Sequence, residues 1–270
     1  MAITTLDGII AGAQYPRFFA KAITPTLVAG RPASLWGLAG APGAGSWDAT
    51  LNGVALSSTS ANVAGQIPWT DPGSGNSYLT RFSGAATQAG VLMLCDRLWH
   101  NGGYTITSTA AQNSTTPTWP ARDAAGATNG DGVLLGLEVS SATGAGTPTV
   151  TIAYTNQAGT GSRSATNIDA TLASSAAGAF YRIGLQAGDT GVRSVQSLTL
   201  SATWTSGTMN IVAYRPLAFL ELPASNASNA IDALTGGFPQ LYNGTVPYLV
   251  FLPNTTTASN IVGGISWTQG

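Results

Sequence analysis

The stretches TVTIAYT (149–155) and LTLSATW (198–204) decide the fold class of this chain. In the first, Val150, Ile152 and Tyr154 alternate with Thr149, Thr151 and Thr155. In the second, Leu198, Leu200, Ala202 and Trp204 alternate with Thr199, Ser201 and Thr203. A two-residue period puts an apolar row and a polar row on opposite faces of extended backbone, the pattern of a half-buried antiparallel strand. Thr205 to Thr208 then supplies a turn containing Gly207, and Met209, Ile211 and Ala213 resume the alternation, so a hairpin is expected here.

Outward from this pair the same logic holds. Val133 to Val139 is apolar on both faces apart from Glu138, and Val91 to Leu94 is a further apolar run; both suit strands inside a sandwich. ATNGDG (127–132) and QAGDTG (186–191) carry the Gly and Asp that tight connections need. Strand character returns in Tyr248 to Leu252 and Ile261 to Trp267, after a turn at Asn243 and Gly244. One helix is expected over residues 226–235, capped by Asn226 or Ser228, with Ile231 and Leu234 inward and Gly236 and Gly237 as the stop. No repeat of fixed period argues for a solenoid or propeller. The expected fold is therefore all-β, a jelly-roll-like antiparallel β-sandwich with a body over 76–222 that residues 223–270 complete.

Residues 1–75 look different. Proline stands at 16, 25, 32, 42, 68 and 72 among many glycines, which leaves few uninterrupted strands, and the segment is expected to be an extended N-terminal arm. Near its start Thr5 is placed to cap a short helix on which Ile3, Leu6 and Ile10 share a face, before Gly12 and Pro16 end it. Tyr15, Phe18, Phe19 and Trp36 follow on irregular sequence. With Ile3, Leu6 and Ile10 they form the candidate partner-binding set; the alternative is that these aromatics fold back onto their own core.

Charged residues make up 8% of the chain and hydrophobic residues 44%. So few charges give little electrostatic protection against association, while the apolar content excludes disorder, so much of the surface is expected to be buried against partners. The ten basic residues, Lys21 and nine arginines, are scattered and the net charge is −1, so no phosphate-tracking stripe and no nucleic-acid partner is expected. Cys95 is the single cysteine, which excludes an internal disulfide. Asp7 precedes any basic residue, unlike a secretory signal, and the weakly apolar Pro32 to Trp47 is broken by glycines. A membrane partner is not expected.

Catalytic patterns are missing. Ser74 lies in PGSG rather than in a nucleophile elbow, Lys21 sits between alanines rather than in a phosphate loop, and Tyr78 stands where a dinucleotide pattern begun by Gly73 and Gly75 needs its third glycine. His100, in CDRLWH (95–100), reads as a strand-end histidine that hydrogen-bonds locally; as a catalyst it would need Asp96 to orient it or Cys95 as its thiolate. Glu138 and Glu221 fall in expected strands, while Asp7, Asp48, Asp71, Asp123, Asp131 and Asp189 sit in turn-like sequence, and nothing singles out a glycosidase pair. Asp123, Asn129 and Asp131 offer oxygens to calcium, but their spacing is not that of an EF-hand and plain turns explain them. No cofactor or metal is expected, and no enzymatic activity.

TTLDGIIAGAQYPRFFAKA (4–22), LMLCDRLWHNGGYTITSTAAQ (92–112) and FYRIGLQAGDTGVRSVQSLTLSATWTSGTMNIVAYRPLAFLEL (180–222) give the chain a resemblance, loose over most of its length, to the decoration or cement proteins of tailed double-stranded DNA phage capsids. That resemblance implies a compact β-sandwich body with an extended arm, grouped as a homotrimer between capsomers on the capsid exterior. Its implied partners are the major capsid protein and itself, with assembly in the host cytoplasm. It carries over no catalytic residue. The competing expectations are a tail, fibre or baseplate component that binds glycans, and a virion-associated glycanase.

Overall fold

A computed structural model describes residues 3–23, 26–72 and 75–270. Pro25 of the expected arm and the Gly73–Ser74 positions of the rejected motifs lie outside the described residues. In chain order the elements are α1 (Leu6–Ala11), β1 (Arg17–Ile23), β2 (Ala33–Ser34), β3 (Gly40–Ala41), β4 (Val54–Ala55), β5 (Ser77–Ala86), β6 (Gly90–His100), β7 (Gln112–Asn113), β8 (Leu134–Ser141) and β9 (Val150–Asn156). They continue with β10 (Arg163–Asn167), β11 (Phe180–Gly184), β12 (Val192–Leu200), β13 (Thr208–Leu222), β14 (Ser228–Asp232), α2 (Ala233–Gly236), β15 (Gln240–Leu241), β16 (Pro247–Pro253) and β17 (Ser259–Gln269). Every strand pairing among them is antiparallel.

The strands form two sheets, one ordered β14-β5-β17-β1-β3 with β15 also on β5, the other ordered β2-β16-β6-β13-β8-β11-β10-β9-β12-β7 with β4 on β6. The fold is an all-β antiparallel sandwich, as the alternating sequence requires. Its larger sheet is long enough to curl and enclose a core of its own, where Trp99, Trp119, Tyr154, Leu198 and Ile211 meet. A second core lies between the two sheets, where Phe19, Phe82, Ile265 and Trp267 face Leu92, Leu220 and Phe251. A third, around Trp36, Cys95, Tyr214 and Tyr248, buries the other face of β6, β13 and β16. Covering on both faces explains why Val91 to Cys95 of β6 is apolar without alternation.

Close packing also decides some small residues. A methyl group added to Gly136 on β8 would stand 2.0 Å from Cζ of the buried Phe180, which packs edge-on against Tyr214. Gly136→Ala is expected to lose about 1–3 kcal/mol of unfolding free energy, read from urea denaturation. An unchanged midpoint would show that Phe180 has room to turn away.

Three expectations are corrected. Residues 17–23 and 26–72 do not leave the body as an arm: β1 is a full strand between β17 and β3, and Leu27, Leu35, Trp36, Leu56, Ile67 and Trp69 are core residues. Pro and Gly make this backbone irregular, but its apolar side chains are buried like any others. The expected hairpin also fails. β12 pairs with β9 and β7 whereas β13 pairs with β6 and β8, because the chain leaves β12 at Leu200 and turns at Gly207 onto a different neighbour. Lastly, 226–235 is mainly strand. Ser228 to Asp232 adds β14 to the edge of β5, and only the single turn of α2 follows, capped by Asp232, whose carboxylate accepts the amides of Leu234 and Thr235. Leu234 is exposed instead of facing inward. The N-terminal helix is as expected, with Thr5 accepting the amide of Gly8 and Gly12 at its end.

Candidate functional site

The segment CDRLWH builds an ionic core. β6 carries Asp96 and Arg97 into the interior with no solvent exposure. The Arg97 guanidinium forks onto Glu138 of β8 through two hydrogen bonds of 2.7 Å, and its Nε donates to Nδ1 of His100 at 3.1 Å. Its plane lies 4.3 Å from the Trp36 ring centre and 5.2 Å from that of Tyr248. Glu138 also accepts from the Ser34 hydroxyl at 2.5 Å and from the Trp47 indole at 2.6 Å, so both its oxygens are committed. Asp96 accepts from Arg122 at 2.9 and 3.2 Å and from the Val246 amide at 2.9 Å. Such geometry binds β6, β8, β2 and the loop that carries Trp47 together at a point where an unpaired charge would be costly.

The candidate catalysts are locked inside it. Burial, reinforced by the charge of Arg97, lowers the His100 pKa to about 2, so the ring is neutral near neutral pH. Burial and then the Asp96 charge push the Cys95 thiol well up, away from thiolate character. His100 stands at the end of β6 and bonds locally, and it is a core residue packed against Trp36. The acidic residues are similarly engaged. Asp169 pairs with Arg182 and Asp189 with Arg163. Asp123 accepts the amides of Ala125, Ala127 and Gly130, while Asp131 accepts the Thr190 hydroxyl; with Asn129 they form a hydrogen-bonded turn, and no metal-ligating cluster occurs among the described residues.

The surface candidates divide. Phe19 and Trp36 have no exposure: Phe19 faces inward on β1 against Phe82, and Trp36 roofs Arg97. They are core residues and not partner anchors. Ile3 is half-buried. Leu6, Ile10, Tyr15 and Phe18 are exposed, Tyr15 by 85% and Phe18 by 63%. The alternation in RFFAKAI, which turns Phe18 outward as Phe19, Lys21 and Ile23 turn inward, was the signal that separates them. Lys21, the sole lysine, donates to the carbonyls of Leu38 and Gly43, and burial brings its pKa down to about 8.

Register identifies what surrounds Phe18. One row across the smaller sheet runs Phe18, Gly264, Ser83, Ala230, and the next runs Ala20, Val262, Ala85, Ser228. These eight positions alternate with the buried ones and form an outer face of small and apolar side chains without a charge. Arg81 and Asp232 stand opposite each other beyond it. Val262, Ser83, Ala85 and Ala230 escaped the sequence reading because none is conspicuous alone.

No protein-family model matches the chain, and neither does any curated protein. Among solved structures, the infectious bursal disease virus VP2 subviral particle aligns over 100% of this chain and 83% of its own at 8% identity, with a TM-score of 0.19. The infectious bursal disease virus Gt strain structure aligns over 95% of this chain and 42% of its own at 11% identity, with a TM-score of 0.11. Alignments this loose demonstrate neither a shared fold nor a shared role.

Proposed function

We propose that this protein is a non-catalytic structural component of a virion, which decorates and stabilises a phage capsid through contacts with the major capsid protein and with copies of itself. The observation that carries the reading is the uncharged outer face centred on Phe18 and Val262, on a chain whose charged residues are only 8% of the whole. A sheet face of small side chains admits close approach of another protein surface, and an exposed Phe supplies the anchor. The resemblance to capsid decoration proteins, in the three segments quoted above, adds support. The burial of Cys95 and the engagement of His100, Glu138 and most aspartates in internal bonds fit a role without chemistry.

A glycan-binding tail module commonly stacks sugars on exposed indole rings. Here six of the seven tryptophans are buried and Trp47 is half-buried, so Tyr15 is the one largely exposed ring among the tryptophans and tyrosines, which favours the capsid reading over the tail one. The test is co-sedimentation of purified protein with capsids that lack it. The wild type is expected to bind in a saturable manner and Phe18→Asp to bind about tenfold or more weakly. Equal binding by the two would remove this face from the interface, and no binding by either would remove the capsid.

A further inference from the structure

A cavity of about 350 Å³ opens where the chain after β1 meets the loop before β11, with Leu27, Val28, Leu38 and Leu172 on its walls and Arg31 in its floor. Arg31 is 6% exposed; its Nη1 donates to the Tyr181 hydroxyl at 2.9 Å, and its Cζ lies 5.2 Å from the centre of the Tyr181 ring. Arg97 and Arg122, which are more deeply buried, each have a carboxylate; among the described residues Arg31 has none, and of these buried arginines it is the one on a cavity wall, Arg215 donating instead to the Gln240 carbonyl. A guanidinium on a cavity wall without a counter-charge suits an anionic group from outside. Val28 and Leu172 are exposed apolar side chains on the same walls, so the occupant must be aliphatic as well.

The chain itself carries a segment of that chemistry. On α1, Asp7 is exposed and in no ion pair, and Leu6, Ile9 and Ile10 around it are exposed too. No residue of this helix is buried. It cannot fill the cavity of its own chain. Ala13 bridges to Thr268, and the Thr268 hydroxyl donates to the Ile9 carbonyl at 2.9 Å, which fixes α1 at the Arg17 end of β1. The cavity is lined by Ile23 at the other end, about 20 Å away at the rise of a strand.

We infer that α1 of one copy docks in the Arg31 cavity of a second copy, with the Asp7 carboxylate on the Arg31 guanidinium and Leu6 and Ile10 against the aliphatic walls. This rests on the self-association in the proposed function and names its contact. The two surfaces lie at opposite ends of β1, so the contact is head-to-tail. Such a contact closes into a ring, a trimer for a rotation of one third of a turn, when its rotation divides a full turn.

The test uses the purified full-length protein without capsids, so that failure of self-association is distinguishable from failure of capsid binding. Sedimentation is expected to show a discrete oligomer, with Asp7→Lys and Leu6→Asp each weakening it about tenfold or more. Because Asp7 also favours its own helix terminus, a second measurement isolates the contact. Leu6→Cys protein mixed with Val28→Cys protein is expected to form a disulfide between copies that neither forms alone, the native Cys95 being buried. A monomeric wild type, an oligomer indifferent to both substitutions, or a mixture that does not cross-link would each overturn the inference.

Discussion

Replacing Glu138 with Ala is expected to lower the unfolding free energy by about 3–5 kcal/mol, because it leaves the Arg97 guanidinium buried without a counter-charge. Arg97 cannot swing out to water: it packs against the adjoining rings of Trp36 and Tyr248 and has no exposure. The Ser34 hydroxyl and Trp47 indole would lose their acceptor in the same step, loosening loops that the N-terminal residues contribute to the body. The double variant Arg97→Met with Glu138→Leu removes both charges and is expected to regain most of the loss, since well-packed apolar pairs often match buried ion pairs. Urea denaturation of the wild type and the two variants checks this. A single Glu138→Ala variant with the wild-type midpoint would mean that the site admits water.

The second large effect is expected in acid. His100 has a pKa of about 2 when folded, against 6.5 for a free histidine. Between those values the unfolded chain binds a proton that the folded chain refuses, so stability is fully present above pH 6.5 and falls as the pH drops toward 2. At about 1.4 kcal/mol per pH unit the loss is about 3 kcal/mol between pH 6.5 and 4. Asp189, held below the usual carboxylate range first by its bonds from Arg163, loses its contribution in the same direction at lower pH. His100→Asn keeps an acceptor for Arg97 Nε and removes the titration. Its urea midpoint is expected to be nearly flat over pH 6.5–4 where that of the wild type declines; parallel curves would refute a neutral buried ring.

The sequence made the half-buried strands readable and the fully buried ones less so. Val150, Ile152 and Tyr154 announce β9 because its other row, with Thr151 and Thr155, lies nearer the surface. Periodicity identifies a strand but not its neighbour, so β12 and β13, adjacent in sequence, were expected to pair and do not. Glu138 stood out as the one charge in an apolar run, yet its partner lies 41 residues away, and only the β8–β13–β6 order brings Arg97 to it. The expected arm failed for a related reason. Pro and Gly report irregular backbone, whereas attachment depends on whether Trp36, Ile67 and Trp69 find a core, and they do. In the 226–235 segment Asn226 and Ser228 were plausible caps, but the free edge of β5 recruited Ser228 to Asp232 as a strand and moved the helix start to Asp232. Of the surface candidates, the ones that alternation turns outward remain, and Arg31 was invisible because a lone arginine near a proline has no pattern.

The central claim, that this chain covers a capsid by protein contacts, is tested most directly by a reconstruction of virions that contain it. The account predicts density for the sandwich at symmetry-related positions over the capsid exterior, on the order of hundreds of copies, with the Phe18–Val262 face against the major capsid protein. Density confined to a few copies in the tail or baseplate, or a capsid surface bare of this chain, would contradict it.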